Sequence, residues 1–310
     1  LYYVRKTGSD SNAGTSAGAA WLTIGKALGA AGIASGDTVY IGAGIYREIV
    51  TVGMTNPTAE TKIIGDVDGS KTGDAGEVIW TNYTTNNRTA AVNSSILVFN
   101  ARDYLTFKNL TFISGSTNAN AVNAAVGSEN IKFTRCCLIS NGSSGVLINA
   151  DIAANTNSGW IIDQCVFYKS SGAAIQVRLT RSAVADYDCQ FLINNCFFNG
   201  PGGANCINIT SLGGSTFYGG GVDVLNCTHI TSGAFFVTNS AAISTTYPCT
   251  AYNNMVVTGS STAFSANTSG QILENYNLIQ ALTPRTNVVA GAQSISDGSL
   301  LVIYDFSQLF

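Results

Sequence analysis

The sequence predicts an all-β fold, a right-handed parallel β-helix solenoid closed by an N-terminal capping helix. Two observations carry most of that expectation: a repeat of 27–31 residues, and a column of polar corner residues inside it. The third is composition. Charged residues make up 11% of the 310 and hydrophobic residues 45%, with abundant Gly, Ser, Thr, Asn and Ala. That is ample apolar matter for a core and too little charge for a disordered chain.

The repeat is legible in six segments: LTFKNLTF (105–112), FTRCCLI (133–139), IIDQCVF (161–167), LINNCFF (192–198), DVLNCTHI (223–230) and AYNNMVV (251–257). Each reads as a strand, a polar corner and a second short strand. Aligned after the corner, one column reads Leu110, Cys137, Cys165, Cys196, Cys227, Met255. Two positions on it reads Phe112, Ile139, Phe167, Phe198, His229, Val257. Residues two apart on a strand share a face, so both columns are expected to point inward. The corner column reads Asn109, Cys136, Gln164, Asn195, Asn226, Asn254. Asn tolerates the left-handed backbone of a sharp corner, and stacked amides can bond along the axis.

A Gly/Ser-rich second turn follows each repeat (141–145, 169–172, 199–203, 231–233, 259–261), then a third strand (146–149, 174–177, 206–209, 235–238). Three strands and three turns per coil describe a triangular solenoid. The third turn is long (150–159, 178–189, 210–220, 239–249). Long loops gathered on one edge of a rigid scaffold are a usual place for binding.

The open ends need covers. Trp21, Ile24, Leu28 and Ala31 fall at helical spacing and predict a short amphipathic helix over 21–31. The expected organisation is cap and first coil over 1–52, solenoid over 53–280, and a C-terminal cap or the start of a further segment over 281–310. The apolar stretch SLLVIYDFSQLF (299–310) suits a cap or a partner surface.

YYVRKTGSDSNAGTSAGAAWLTIGKAL (2–28) followed by GDTVYIGAGIYRE (36–48) resembles the head of pectin-lyase-like β-helix proteins. That superfamily includes secreted polysaccharide lyases and hydrolases and phage tail proteins. The resemblance implies the fold; it implies function only weakly, because the scaffold hosts many activities. For the phage members it implies a homotrimer, which the apolar C-terminal stretch would serve.

Net charge is −3 with no Lys/Arg stripe, which argues against a nucleic-acid partner. No apolar run approaches the length of a membrane span. The beginning at Leu1 is silent about targeting. The eight cysteines contain no C-x-x-C pair, so no metal site is expected from them. Cys137, Cys165, Cys196 and Cys227 read as stacked core thiols. Cys189 and Cys249 fall two coils apart, too far for a bridge, and disulfides stay open for Cys136 and Cys206. His229, the single histidine, falls in an inward column and reads as structural rather than as a general base.

The best cluster of chemistry lies in the third turns. RLTRSAVADYD (178–188) holds Arg178, Arg181, Asp186, Tyr187 and Asp188, and Asp151 opens the corresponding loop one coil earlier. Arg is suited to bidentate carboxylate recognition, and Phe217, Tyr218 and Tyr247 on adjacent loops are suited to stacking on sugar rings. A plain exposed loop with local ion pairs is the favoured reading, a glycan-contacting surface comes second and a catalytic centre last. Asp163 and Asp223, about 10 Å apart by coil spacing, sit at the far edge of an inverting carboxylate pair. The loop GDVDGSKTGDAGE (65–77) offers Asp66, Asp68, Asp74 and Glu77 to calcium, but its spacing is not that of an EF-hand. No cofactor is expected beyond that weak calcium option.

Three function classes follow. First ranks a structural or receptor-binding module of a virion (tail spike, fibre or decoration protein) touching a surface polysaccharide or other virion proteins. Second comes a secreted polysaccharide lyase or glycoside hydrolase, and third a non-catalytic cell-surface adhesin. Whether the chain is an enzyme stays open, with the non-catalytic reading ahead. Either way the expected location is a virion or the extracellular surface.

Overall fold

The computed structural model describes residues 1–297 apart from 118, 125–126, 142–144, 154–157, 170–171, 181–184, 201–204, 213–217, 241–242, 259–261, 282 and 289–294. For 283 and 295–297 it describes the backbone. Parts of the second and third turns, and the 299–310 stretch, therefore lie outside the described residues.

The described strands form three parallel sheets of ten, nine and ten strands. One coil runs through Leu105–Lys108 in the first sheet, Thr111–Ser114 in the second and Val122–Ala124 in the third, then rises to Lys132–Thr134 in the first. Each strand pairs in parallel with its counterparts in the coils below and above. This is the right-handed parallel β-helix. Strand pairing continues past residue 280, through Thr283–Thr286 and Ile295–Asp297, where the sequence repeat has faded.

Strict alternation fills the inside. The first sheet points Phe107, Phe133, Ile162, Ile193 and Val224 inward at matching register. The second points Trp80, Phe112, Leu138, Phe167, Phe198 and His229. Aromatic rings stack from coil to coil, Phe167 on Phe198 at 4.9 Å and Trp160 on Phe191 at 5.4 Å between centroids. Such offset pairs add to the burial energy of large rings.

Two coils differ in register from the sequence alignment. The left-handed corner residues are Asn109, Arg135, Gln164, Asn195, Asn226, Asn253 and Tyr276, with φ between 52° and 58°. Arg135 thus replaces Cys136 at the corner, and Asn253 replaces Asn254. The inward column becomes Leu110, Cys136, Cys165, Cys196, Cys227, Asn254, Asn277, all buried. Cys137 and Met255 turn outward, and so do Ile139 and Val257, because a slip of one residue exchanges the faces of a strand.

The inward column has a physical logic. After a left-handed corner the backbone N–H points along the axis and finds no carbonyl. A side chain from the next coil answers it. Cys227 N–H donates to Asn254 Oδ1 and Asn254 N–H to Asn277 Oδ1, both at 2.8 Å, and Cys196 N–H to Cys227 Sγ at 3.4 Å. The Leu110 and Cys136 N–H groups meet the sulfurs of Cys136 and Cys165 in the same way. A short side chain with an acceptor atom is what the position requires, and Cys and Asn both provide it. All eight cysteines are free thiols. Burial pushes the Cys136 and Cys196 thiols well up, which keeps them protonated.

Asn suits the corner because its backbone enters the left-handed region cheaply, whereas Tyr276 pays about 1 kcal/mol to be there. Tyr276 is 59% exposed, so little packing offsets that cost. Tyr276→Gly is expected to raise stability by about 0.5–1 kcal/mol in a urea melt.

The N-terminal cap is shorter than the helix expected over 21–31. The α-helix spans only Ile24–Ala27, after a 3-10 turn at Ala17–Ala19. Thr23 caps it through Lys26 N–H, and the Glu48 carboxylate accepts from the Ile24 and Gly25 N–H groups. Gly32 ends the element: a Cβ there would sit 1.9 Å from the Ala27 carbonyl oxygen, so the chain can double back only at glycine. Trp21 lies outside the helix, in a parallel bridge with Val4, its ring stacked on Tyr2 at 4.9 Å. Ile24, Ala27 and Leu28 are buried over the first coil, and Ala31 is exposed.

Candidate glycan-contacting face

The third-sheet strands Ile148–Ile152, Ile175–Thr180 and Ile207–Leu212 are longer than the sequence suggested. Their inward residues (Ala150 and Ile152, Val177 and Leu179, Ile209) keep alternating into the stretch expected as loop. Asp151 and Arg178 are therefore on strands, side by side at paired positions, and not on third-turn loops. Arg178 grips Asp151 with two parallel bonds, Nε to Oδ1 and Nη2 to Oδ2, each 2.5 Å. The Asp151 side chain is 10% exposed and that of Arg178 33%. Such a fork is geometrically specific.

Beside this pair runs a row of amides that sequence reasoning missed. Asn123, Asn149, Gln176 and Asn208 occupy one register on successive strands, all facing outward. Asn149 Nδ2 donates to Asn123 Oδ1 at 3.1 Å and to Asp151 Oδ1 at 3.2 Å. Asn239 Nδ2 donates to Asn208 Oδ1 at 2.6 Å. The signal was present in VLIN, AIQV and CINI, each of which carries one amide at an outward position between apolar neighbours. The result is a flat polar strip of donors and acceptors at about 4.8 Å spacing.

The remaining candidates brace the third turn. Asp186 accepts the Tyr218 N–H on Oδ1 and the Ser244 hydroxyl on Oδ2, both at 2.9 Å, and Ser244 Oγ in turn accepts the Thr246 and Tyr247 N–H groups at 3.0 Å. Tyr187 is buried and donates to the Thr180 carbonyl at 2.5 Å, which sets the turn against the end of the Arg178 strand. That burial raises its hydroxyl pKa, so it stays protonated. Asp188 accepts from Gln190 N–H at 2.9 Å. It packs where Gly221, at φ +77°, leaves room; a Cβ there would lie 1.8 Å from Asp188 Oδ1. Tyr218 is half-buried and Tyr247 exposed. Arg181 and Phe217 lie outside the described residues. The structure thus brings Asp151 and Arg178 together on the third sheet and gathers Asp186, Tyr218 and Tyr247 at the turn.

The other candidates are dispersed. Asp163 pairs with Asn194, and Asp223 with Leu192, so the two carboxylates are two coils apart and two residues out of line. That offset stretches the expected 10 Å to about 12 Å, beyond the inverting range. Asp163 accepts from Asn194 and Asn195, and Asp223 from Thr250. In the 65–77 loop, Asp66 accepts the Lys71 and Thr72 N–H groups, Asp74 forks with Arg5 at 2.7 Å, and Glu77 accepts from Thr111. The four carboxylates offered to calcium do not converge; among the described residues no group of three His, Cys, Asp or Glu side chains is placed to hold a metal ion. His229 is fully buried, with Nε2 3.1 Å from the Gly233 carbonyl and its ring 5.1 Å from Phe235. Burial lowers its pKa to about 4. Among the described residues no helix is long and apolar enough to cross a membrane.

No protein-family model and no curated protein sequence matches the chain. Solved structures do. A pectin methylesterase from Aspergillus niger superposes with a TM-score of 0.50 at 13% identity, over 96% of this chain and 86% of that one. XylC in complex with xylose gives 0.51 at 11% identity, over 92% and 69%. The fold is shared. At such identities the likeness speaks for the parallel β-helix alone, consistent with the pectin-lyase-like architecture read from the repeat. The tailspike protein of Acinetobacter baumannii phage AM24 also matches, over 84% of this chain and 50% of that one at 12% identity, with a TM-score of 0.30 that carries no argument.

Proposed function

We propose that the chain is a glycan-contacting β-helix module that binds without cleaving, of the kind a virion displays as a tail spike, fibre or decoration protein. The observation that carries this reading is the outward strip of Asn123, Gln176 and Asn208 beside the Asp151–Arg178 fork. Amides donate and accept at once and so complement sugar hydroxyls, and their repeat along a rigid axis suits a repeating polymer. The carboxylates nearest the strip are committed to structural partners, Asp151 to Arg178 and Asp186 to the turn. This favours recognition over acid–base chemistry. On this reading the module works outside the cell, assembled with other virion proteins or further copies of itself.

Titration calorimetry against a bound surface polysaccharide tests the strip. Gln176→Ala and Asn208→Ala are each expected to weaken binding about fivefold, the value of one neutral hydrogen bond. Tyr276→Ala, at a distant corner, should leave it unchanged. Unaltered affinity in both amide variants would remove the strip from the binding surface.

A further inference from the structure

A solenoid strand shows one side to the core and the other to solvent, so its outer positions are ordinarily polar. The first sheet carries charge at its outer positions, with Lys62, Lys108, Lys132, Asp163 and Asp223 among apolar residues such as Ile161 and Leu192, and the third carries Asp151 and Arg178. The second sheet does not. Across six consecutive strands, from Cys137–Ser140 to Leu278–Gln280, its twelve outer positions hold no charged side chain, and nine are apolar. Val166, Tyr168 and Leu278 are 41%, 38% and 43% exposed, and Phe197, Ile230 and Met255 fill the space between them. Toward the N-terminal end the stripe stops: the outer residues Thr81, Thr111 and Ile113 are already buried, and Arg47 stands exposed beside Ile45.

Six strands at about 4.8 Å and four residues at about 3.3 Å make a face of roughly 29 by 13 Å, or about 380 Å². A mostly apolar face of that size is within the range of the largest patch on a monomer, and such patches are often functional. Two such faces together reach about 760 Å², below the roughly 1,000 Å² of a stable interface, so the contact is a weak, reversible one. A glycan fits poorly here, because mostly apolar side chains give its hydroxyls no partners. An identical face fits well. The same residue classes recur at every coil, so two solenoids laid side by side match in steps of whole coils, with no charge buried unpaired.

We propose that the outer face of the second sheet is a self-association surface, buried against the same face of a second copy of this chain. It is independent of what the third sheet binds. Sedimentation velocity of the full chain, from low to high micromolar concentration, should show monomer passing to dimer. Val166→Glu and Tyr168→Glu should each raise the dissociation constant about tenfold or more by placing an unpaired carboxylate in the contact. Tyr276→Lys, exposed on the corner outside the stripe, should change nothing. Cys137 gives a second measurement that needs no substitution. It lies half-buried on this face while the other seven cysteines are buried, so its rate of thiol labelling should fall as concentration rises. A chain that stays monomeric throughout, association untouched by both glutamates, or a labelling rate independent of concentration would each overturn the proposal.

Discussion

Arg285→Met is expected to cost the fold about 3–5 kcal/mol. The reason lies in the coil that holds Ile272–Asn275 and Thr283–Thr286, where the core turns polar. Glu274 takes the inward position that Ala251 and Val224 hold below it, and its side chain is fully buried. Arg285 takes the inward position above Phe264 on the third sheet. Arg285 Nε donates to Glu274 Oε1, and Asn277 Nδ2 donates to Glu274 Oε2 at 2.7 Å. Asn277 also accepts the Asn254 N–H, so the ion pair is joined to the inner amide ladder. Removing the arginine leaves a carboxylate in the interior without its countercharge, and that desolvation is the cost. The converse separates this account from simple loss of packing. Replacing both partners, as in Glu274→Leu with Arg285→Met, should recover most of the stability, because an apolar pair needs no compensation. Urea unfolding of the two variants checks both expectations; equal losses in the single and double variants would count against them.

Stability should also fall as pH drops from about 6.5 toward 4, and His229 should be the main cause. The folded chain holds this ring neutral, with its pKa lowered by burial to about 4 against an ordinary 6.5. Phe198, Phe235 and Val256 pack around it, and this burial outweighs the Gly233 carbonyl, the contact that favours the charged ring. Above pH 6.5 the ring is neutral folded or unfolded, and its contribution is complete. Below 6.5 the unfolded chain takes up the proton first, so stability declines until the folded ring is protonated near 4. Between pH 7.5 and 5 the loss is about 2 kcal/mol. His229→Phe continues the aromatic column of Phe112, Phe167 and Phe198 and should remove that part of the pH dependence. If wild type and variant lose stability in parallel over this interval, the buried neutral histidine is not the cause.

The fold was legible because its signals repeat. Asn195–Cys196 and Asn226–Cys227 fixed corner and core for their coils, and the same register sent His229 inward. The register is ambiguous in the sequence where identical neighbours stand together, at Cys136–Cys137 and at Asn253–Asn254. In either register one member of the doublet suits the column, and alternation cannot decide, since Leu138 and Ile139 are both apolar, as are Val256 and Val257. That ambiguity has the same origin as the apolar outer face of the second sheet: both sides of these strands avoid charge. The candidate face was half legible. Asp151 and Arg178 stood out as charged residues in a chain with few, but the end of their strands did not, because only the coil-to-coil pairing shows that Ile152 and Leu179 still point into the core. Asp186 suits a local ion pair in the sequence, whereas its partners, the Tyr218 N–H and Ser244, belong to later coils at no fixed sequence distance. The capping helix was overestimated because the apolar spacing of Trp21 to Ala31 resembles a longer helix, while Gly25, Gly29 and Gly32 limit it to one turn.

The protein is expected to recognise a glycan without cleaving it. The most direct test applies the full chain to an array of surface polysaccharides and then incubates each bound polymer with the protein, reading product by mass spectrometry. Retention of at least one polymer is expected, weakened by Arg178→Ala, with neither new reducing ends nor unsaturated fragments. Release of oligosaccharides by the wild-type chain would contradict it and turn the third-sheet face into a catalytic one.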